Sequence, residues 1–480
     1  MTQRTAENNR SEYSRRSQDS RYTEDHRRSQ DSRYPEDHRR AERYPEDHRS
    51  SGRRPVRRRK KKKHGGLIAV IIILVLLIAA GVWALKSGIF NKNVEVADTR
   101  PLPAYPEVIE EVTVAATGDI LLHAPILNTV AYNGYDFSGI FSEISEYYSE
   151  ADLMIANLEV PLGGEEYGYS SYPTFNSPDT IAYNLKNAGV DMCLTANNHA
   201  NDMGYSGMMR TLDVLDEAGL EHLGTRKSED ENYLVAKNIN GVKLGMICYT
   251  YDTREYTDWQ KSLNGITMSD DGAARVNSFS YSALDEFYAD AQEQIDHMDM
   301  LGVDVKIFFM HWGNEYQDYP CADQENIAQQ LCEMGVDVII GGHPHVVQEF
   351  DVLESSSGHE TICLYSMGNE LSNQRRDLMQ DEDGGRGYTE DGLIIQVTIS
   401  KFNNGRCKVS GVDIIPTWVY YDGYEYRIVA LDPDTDPYSW NYGEWYFPIE
   451  SYNRTMGRVG DEYNEYRLNL GQSAVDEYID

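Results

Sequence analysis

The chain has 480 residues, 40% of them hydrophobic, and a formal net charge of −34. That length suits one large domain or two ordinary ones, and that charge excludes a broad polyanion-binding surface on the bulk of the chain. The charge is also divided: residues 1–64 hold 21 Lys+Arg against 11 Asp+Glu, a balance of +10, which leaves −44 on the remainder. Two parts so different meet different surroundings.

Residues 1–64 contain almost no apolar side chains and repeat a short motif. It reads Arg21-Tyr22-Thr23-Glu24-Asp25-His26, then Arg33-Tyr34-Pro35-Glu36-Asp37-His38, then Arg43-Tyr44-Pro45-Glu46-Asp47-His48. The period is too short and too polar for a stacked repeat. Such a segment buries too little surface to offset its ordering entropy, so a disordered basic tail is expected. In a flexible chain His26, His38 and His48 make a poor metal site. The basic run Arg57–Lys63 follows, and nucleic acid is the usual alternative for such a run. Its neighbour decides against that: residues 67–85 are uncharged and almost wholly apolar. As a helix they would be about 28 Å long, close to the roughly 30 Å hydrocarbon core of a bilayer. A single transmembrane helix over 65–87 is therefore expected. Its basic flank and the tail would be cytoplasmic, the acidic bulk extracellular, the cell membrane a partner, and no nucleic acid would be bound. Residues 88–110, with Pro101, Pro103 and Pro106, read as a stalk linker.

From residue 111 the pattern alternates. Strands are expected over 112–117, 153–156, 192–195, 233–237, 242–249, 305–310, 336–340, 361–365 and 392–399. Helices are expected over 137–150, 178–188, 205–218, 281–301 and 323–334. Asn403-Asn404-Gly405 has the chemistry of a hairpin turn, with a returning strand over 407–419. Apolar strands alternating with helices argue an α/β class, its sheet material covered on both faces. The domain is expected to run over 111–430. Residues 431–480 form an acidic extension with an aromatic cluster, Tyr438, Trp440, Tyr442, Trp445, Tyr446 and Phe447. It reads as a wrap that docks rings on the main domain, or alternatively as a sugar platform. Of the six cysteines, Cys193, Cys248 and Cys363 sit in apolar strands, where a buried free thiol is the default. Cys321 and Cys332 flank one expected helix and are too far apart to bond.

Five of the apolar runs end in residues that bind metals. They end at Asp119; at Asn157-Leu158-Glu159; at Asn197-Asn198-His199, with Asp202 just after; at His311-Trp312-Gly313; and at Gly341-Gly342-His343-Pro344-His345. Ligands of open α/β sheets lie beyond the carboxyl ends of the strands, and mixed carboxylate, amide and imidazole donors suit divalent cations. Each residue also has a plain structural reading: Asn198 as a helix cap, Asp119 as a turn residue, His311 as a packed core histidine. His222, His297 and His359 fit no such pattern.

The ordered set Gly118-Asp119, Asn157-Leu158-Glu159, Asn197-Asn198-His199, His311-Trp312-Gly313, Gly342-His343-Pro344-His345 and Tyr365-Ser366-Met367-Gly368-Asn369 resembles the CapA family of capsule-synthesis, or poly-gamma-glutamate synthesis, proteins. That family's domain is similar to the calcineurin-like metallophosphoesterases. The resemblance covers about residues 111–420 and implies a four-layer α/β/β/α sandwich. It also implies one or two divalent metal ions, with Mn, Fe, Zn and Mg not distinguished. Their ligands would be Asp119, Glu159 as a bridge, Asn198, His311, His343 and His345. His199 would be a general acid, oriented by Asp202. Two sites follow: Glu159, Asn198, His311 and His343 in one; Asp119, Glu159 and His345 in the other. The superfamily usually begins Asp-x-His, and here that third position is Leu121. The second-named site is therefore expected to hold its metal more weakly, and Leu121→His to restore it. Glu159 also stands where the longer-known enzymes have Asp. The function implied is that of a membrane-anchored extracellular protein of capsule or poly-gamma-glutamate synthesis, export or attachment. The alternative is an active metal-dependent hydrolase, a phosphoesterase or amidase, acting on a cell-surface polymer. A polymer-synthesis complex and an anionic cell-surface polymer are the expected partners. Given the −44, contact with a polyanion must be local, through metal or a small basic patch such as Arg375-Arg376.

Overall fold

The structure is a computed structural model that describes residues 107–228, 230–375, 378, 388–431 and 447–466. The expected tail, transmembrane helix and most of the stalk lie outside the described residues, as do Arg376 and the aromatic cluster except for the backbone of Phe447. Among the described residues no helix is long and apolar enough to cross a membrane.

In chain order the first elements are β1 (Val108–Ile120), α1 (Ala124–Val130), α2 (Ser145–Glu150), β2 (Leu153–Leu158), α3 (Thr180–Ala188), β3 (Met192–Leu194), α4 (Gly204–Ala218) and β4 (Glu221–Leu223). Next come β5 (Val235–Ile239), β6 (Val242–Tyr251), β7 (Ser262–Leu263), β8 (Ile266–Thr267), α5 (Asp270–Ala273), β9 (Ser278–Phe279), α6 (Leu284–Leu301), β10 (Val305–His311) and α7 (Ala322–Glu333). The last are β11 (Val338–Gly342), β12 (Phe350–Glu354), β13 (Glu360–Leu364), β14 (Asn369–Leu371), β15 (Asp391–Phe402), β16 (Cys407–Tyr421), β17 (Tyr426–Ala430) and α8 (Phe447–Val459).

Apart from a two-stranded β7-β8 ribbon, these strands form two sheets. One runs β17-β16-β15-β1-β2-β3-β4, with β14 also on β1; the other runs β12-β13-β11-β10-β6-β5, with β9 also on β6. β1 to β4 are mutually parallel, as are β6, β10, β11 and β13, and antiparallel strands close the edges. Side chains alternate along a strand, and here both faces are apolar. Val114 and Ala116 of β1 and Leu153 and Ile155 of β2 share one core with Ile307 and Phe309 of β10 and Val338 and Ile340 of β11, so the two sheets pack face to face. Ala115, Met154 and Ala156 point the other way, into a layer with α1 to α4. Phe308, Met310 and Ile339 point into a layer with α6 and α7. The architecture is thus helices, sheet, sheet, helices.

Several expectations change. The helix expected over 137–150 exists only as α2; before it, Asp136 Oδ1 accepts from the backbone of Ser138 and the Ser142 and Ser145 hydroxyls bond nearby carbonyls, local bonding that favours turns. β1 starts at Val108, so three residues of the expected linker are paired with β15 or continue its strand. The hairpin at Asn403-Asn404-Gly405 joins β15 to β16, with Gly405 at φ +85°. Helix α8, from the extension, docks on the main domain: Arg454 makes two bonds to buried Asp391 (2.7 and 2.8 Å) and the Tyr463 and Tyr466 rings meet Phe350. All six cysteines are free thiols. Burial pushes Cys193 and Cys248 up to about 12.

Candidate metal centre

The carboxyl ends of β1, β2, β3, β10 and β11 converge, because β1 to β3 and β6, β10 and β11 are parallel within their sheets and the sheets meet at those ends. Two glycines make the approach close. A Cβ on Gly118 would stand 2.1 Å from the carbonyl oxygen of Gly368, and one on Gly342 would stand 2.9 Å from Asp119 Oδ1. His343 and His345 both adopt positive φ, +96° and +60°. Left-handed backbone at non-glycine residues costs roughly 1–3 kcal/mol each and gathers at functional sites.

All six expected ligands are buried: Asp119 and Glu159 completely, and Asn198, His311, His343 and His345 at 1–3% exposure. Asp119 Oδ2 accepts from the backbone N–H of His343 and stands 3.1 Å from His345 Nδ1. His345 Nδ1 is also 3.1 Å from Asn369 Oδ1. With Nδ1 so engaged, His345 turns Nε2 towards Glu159 Oε1 at 3.9 Å. His311 Nε2 lies 2.8 Å from Asn198 Oδ1 and 3.5 Å from the same Glu159 Oε1. Two triads of ligand atoms result, Asp119–Glu159–His311 and Glu159–His343–His345, each within 4.8 Å, with Glu159 common to both. The sequence grouped His311 with His343 and His345 with Asp119. The triads instead group His311 with Asp119 and His343 with His345, although His345 stays against Asp119 and His311 against Asn198.

Whether these residues fit a divalent cation is tested by what they lack. Glu159 Oε1 and His343 Nδ1 are buried polar atoms without a hydrogen-bond partner. Buried orphans of this kind are costly unless something outside the protein completes them. Two carboxylates, an amide oxygen and three imidazoles form a donor set for a divalent cation. The residues fit. Burial works to raise Asp119, but its bond to His345, the nearby His311 and Asn157 outweigh it and hold the carboxyl below its ordinary value. Burial, then the neighbouring His311 and His345, hold His343 well below the ordinary range of imidazole. His345 goes the other way: burial opposes the charge, yet Glu159 and Asp119 push it up to about 9.

His199 and Asp202 are also brought together. Asp202 Oδ2 stands 2.7 Å from His199 Nδ1 and takes a second bond from the backbone of Phe175, whose ring meets the imidazole edge-on at 4.8 Å.

Sequence reading gave no role to three asparagines here, and set His123 aside as pointing elsewhere unless the strand had ended. Asn157 Nδ2 donates to Asp119 Oδ1 (2.7 Å) and reaches Glu159 and His311 Nδ1. Asn369 holds His345. Asn264 spans Asn198 (3.2 Å) and His199 (3.5 Å). His123 accepts from the backbone of Asn373 and packs edge-on against Phe175; burial first, then charge on His345 and His199, pushes it down to about 4. Asn157 and Asn369 lay inside the quoted motifs, and period-two alternation put Asn157 on the face of Glu159. Nothing in the sequence marked Asn264.

Two expectations fail. Leu121 does not face the site: β1 ends at Ile120, the Leu121 N–H bonds Leu371 O, and its side chain lies in the apolar layer with Ile126 and Phe141. Arg375 is no open basic patch, since its guanidinium bonds Val419 O and faces Glu390 at 4.0 Å. His222 and His359 make ordinary contacts, with Asp216 and with Val336 O.

Comparison with known sequences adds the following. The family described as bacterial capsule synthesis protein PGA_cap matches residues 113–374. The capsule biosynthesis protein CapA of Bacillus anthracis is 27% identical over 270 residues, 55% of this chain and 61% of that protein. The PGA biosynthesis protein CapA of Bacillus subtilis (strain 168) is 24% identical over 326 residues, 66% of this chain and 75% of that one. An uncharacterised protein, y4sH, of Sinorhizobium fredii is 32% identical over 128 residues, about a quarter of each chain. The chain thus spans less than two thirds of the length of the Bacillus anthracis relative.

Proposed function

Because the chain belongs to the bacterial capsule synthesis protein PGA_cap family, we propose that it is a membrane-anchored, extracellular protein of capsule or poly-gamma-glutamate synthesis, export or attachment, built around a divalent-metal centre. The observation that carries the metal reading is the convergence of six buried donors from five strand ends around Glu159, whose Oε1 has no hydrogen-bond partner. Asp119, Glu159, Asn198, His311, His343 and His345 would hold one or two divalent cations, which supply Lewis acidity towards a phosphoryl or amide oxygen. Anchoring rests on the apolar run at 67–85 behind seven basic residues, with the membrane and a polymer-synthesis complex as partners.

A second reading, an active phosphoesterase or amidase on an anionic surface polymer, is favoured by the His199–Asp202 pair. Asp202 accepts at Nδ1 and fixes the ring, which leaves Nε2 as the atom that gives or takes a proton. Phe175 closes one side of the ring and keeps bulk water from it. Asn264 accepts from Asn198 through Oδ1 and its amide lies beside His199, so the proton-bearing ring and the amide ligand keep one spacing.

Metal analysis of the full-length protein in detergent, with a chromogenic phosphodiester assay, tests both. Bound metal with no turnover supports the first reading, turnover lost in His199→Ala supports the second, and no bound metal overturns the metal centre. Protease added to intact cells should remove the folded domain and spare residues 1–64; cleavage of the tail would overturn the topology.

A further inference from the structure

We propose that a second site, the cavity between the 273–277 turn and the start of α6, binds a carboxylate through Arg226 and Lys261. The cavity measures about 230 Å³ and has Tyr233, Phe279 and Phe287 among its walls. Both cations donate to carbonyls of the 273–276 segment, and Arg226 also to that of Glu231. Lys261 Nζ donates to Ala273 O (2.9 Å) and Val276 O (2.7 Å); Arg226 donates to Ala274 O and Glu231 O, and its guanidinium lies 3.5 Å from the centre of the Tyr233 ring. Every one of those acceptors is a neutral backbone oxygen.

Donors remain. An ammonium has three N–H groups, and Lys261 uses two. Arg226 is 5% exposed and its Nε has no partner. The carboxylates nearby are occupied elsewhere. Asp252 is bound by two bonds from Arg254 and one from Ser278, Glu286 takes the third Arg254 nitrogen, and Asp290 accepts from the Tyr249 hydroxyl at 2.6 Å. Arg226 is buried and Lys261 half-buried, two like charges in poor hydration; burial pushes Lys261 down to about 8 although Asp252 and Asp290 oppose it. An anion between them relieves that cost. A planar carboxylate offers one oxygen to each donor.

A third unsatisfied atom narrows the class. Asn277 also lines the cavity, and its Oδ1 is buried without a donor. Its Nδ2 donates to Tyr233 O, so Oδ1 is fixed as an acceptor and calls for an N–H on the ligand. Carboxylate plus N–H, in a space of this size with aromatic walls, describes an amino acid or one residue of an amide-linked acidic polymer. This inference does not use the metal centre.

The test is calorimetric titration of the full-length protein in detergent with glutamate, with a γ-linked glutamate oligomer and with inorganic phosphate, each with and without chelator. Saturable binding of glutamate or the oligomer is expected, unaffected by chelator and weakened about tenfold or more, by loss of a charge-assisted bond, in Lys261→Met. Ala283→Leu fills the cavity from its far wall without touching a charge and should weaken binding similarly. Binding of free glutamate assigns an amino-acid site; binding of the oligomer alone assigns a grip on the polymer. The proposal is overturned by no saturable binding, by binding unchanged in both variants, by phosphate binding as well as glutamate, or by abolition with chelator.

Discussion

Glu159→Gln separates a metal centre from a merely buried polar cluster, because the two predict opposite dependence on metal. The side chain is fully buried, Oε1 has no partner, and it is the one residue shared by both ligand triads. Without metal, a buried acceptor left unmade costs roughly 1–3 kcal/mol. Replacing the carboxylate by an amide of the same shape leaves that acceptor unmade and removes the charge that draws His345 up, so the metal-free variant should lose only a little stability. With metal at a hundred times its dissociation constant, binding stabilises the wild type by about 2.7 kcal/mol. At roughly 2–4 °C per kcal/mol for a domain of this class, that raises the midpoint by about 5–10 °C. The variant loses the shared ligand and should lose most of that rise. The assay is thermal unfolding of both proteins after chelation and again with added Mn²⁺ or Zn²⁺. Equal rises in the two proteins would refute the shared-ligand geometry. A large loss of stability in the metal-free variant would show that Glu159 holds the fold instead.

His343→Ala should sharply reduce metal bound per chain, read by elemental analysis, while His222→Ala, outside both triads, should not change it. Leu121→His should cost roughly 2–5 kcal/mol, since it puts an imidazole into an apolar layer, and should bring no gain in retained metal; a gain on dialysis would mean that the β1 end can turn. Lys261 gives a pH dependence through burial, with Asp252, Arg254, Asp290 and Arg226 as the charged groups around it. Its folded value, about 8, lies below the ordinary 10.5, so between those values the unfolded chain binds more protons and stability rises with pH. Denaturant unfolding should show wild type gaining on Lys261→Met by up to about 1.4 kcal/mol per pH unit from pH 8 to 10; a flat difference refutes it.

The sheets were legible because parallel strands covered on both faces are written as unbroken apolar runs: β1, β2, β6, β10 and β11 all stand near where those runs lie. Strands of two or three residues, such as β4, β7 and β14, have no period to read. The helix expected over 137–150 failed because hydroxyl and Asx bonding beat a weak helical pattern. The site divides the same way. A ligand that ends an apolar run announces itself, as Asp119, Glu159, His311 and His343 do. Asn264 reaches His199 from 65 residues away by tertiary packing alone, and Leu121 was misread because the strand stops one residue before it. His123 was visible, but where its ring goes depends on that same stop.

If the proposed function holds, an acidic domain that serves an acidic polymer must confine attraction to places where its own carboxylates are already spent. Both sites described here have that property. At the metal centre Asp119 is bonded by Asn157, His343 and His345, so it adds little repulsion at short range. At the cavity the acids that act on Lys261, Asp252 and Asp290, are already bonded by Arg254 and Tyr249. The segment from Tyr251 to Asn264 joins the two places: Tyr251 packs on His343 at 4.8 Å, Lys261 reaches the cavity, and Asn264 returns to Asn198 and His199. Long-range repulsion from the −44 outside the tail is screened beyond about 8–10 Å at physiological salt, whereas contacts inside buried sites are not. Selectivity for an anionic chain can therefore rest on a few buried donors, and the acidic surface then works against every anion that lacks the groups to reach them.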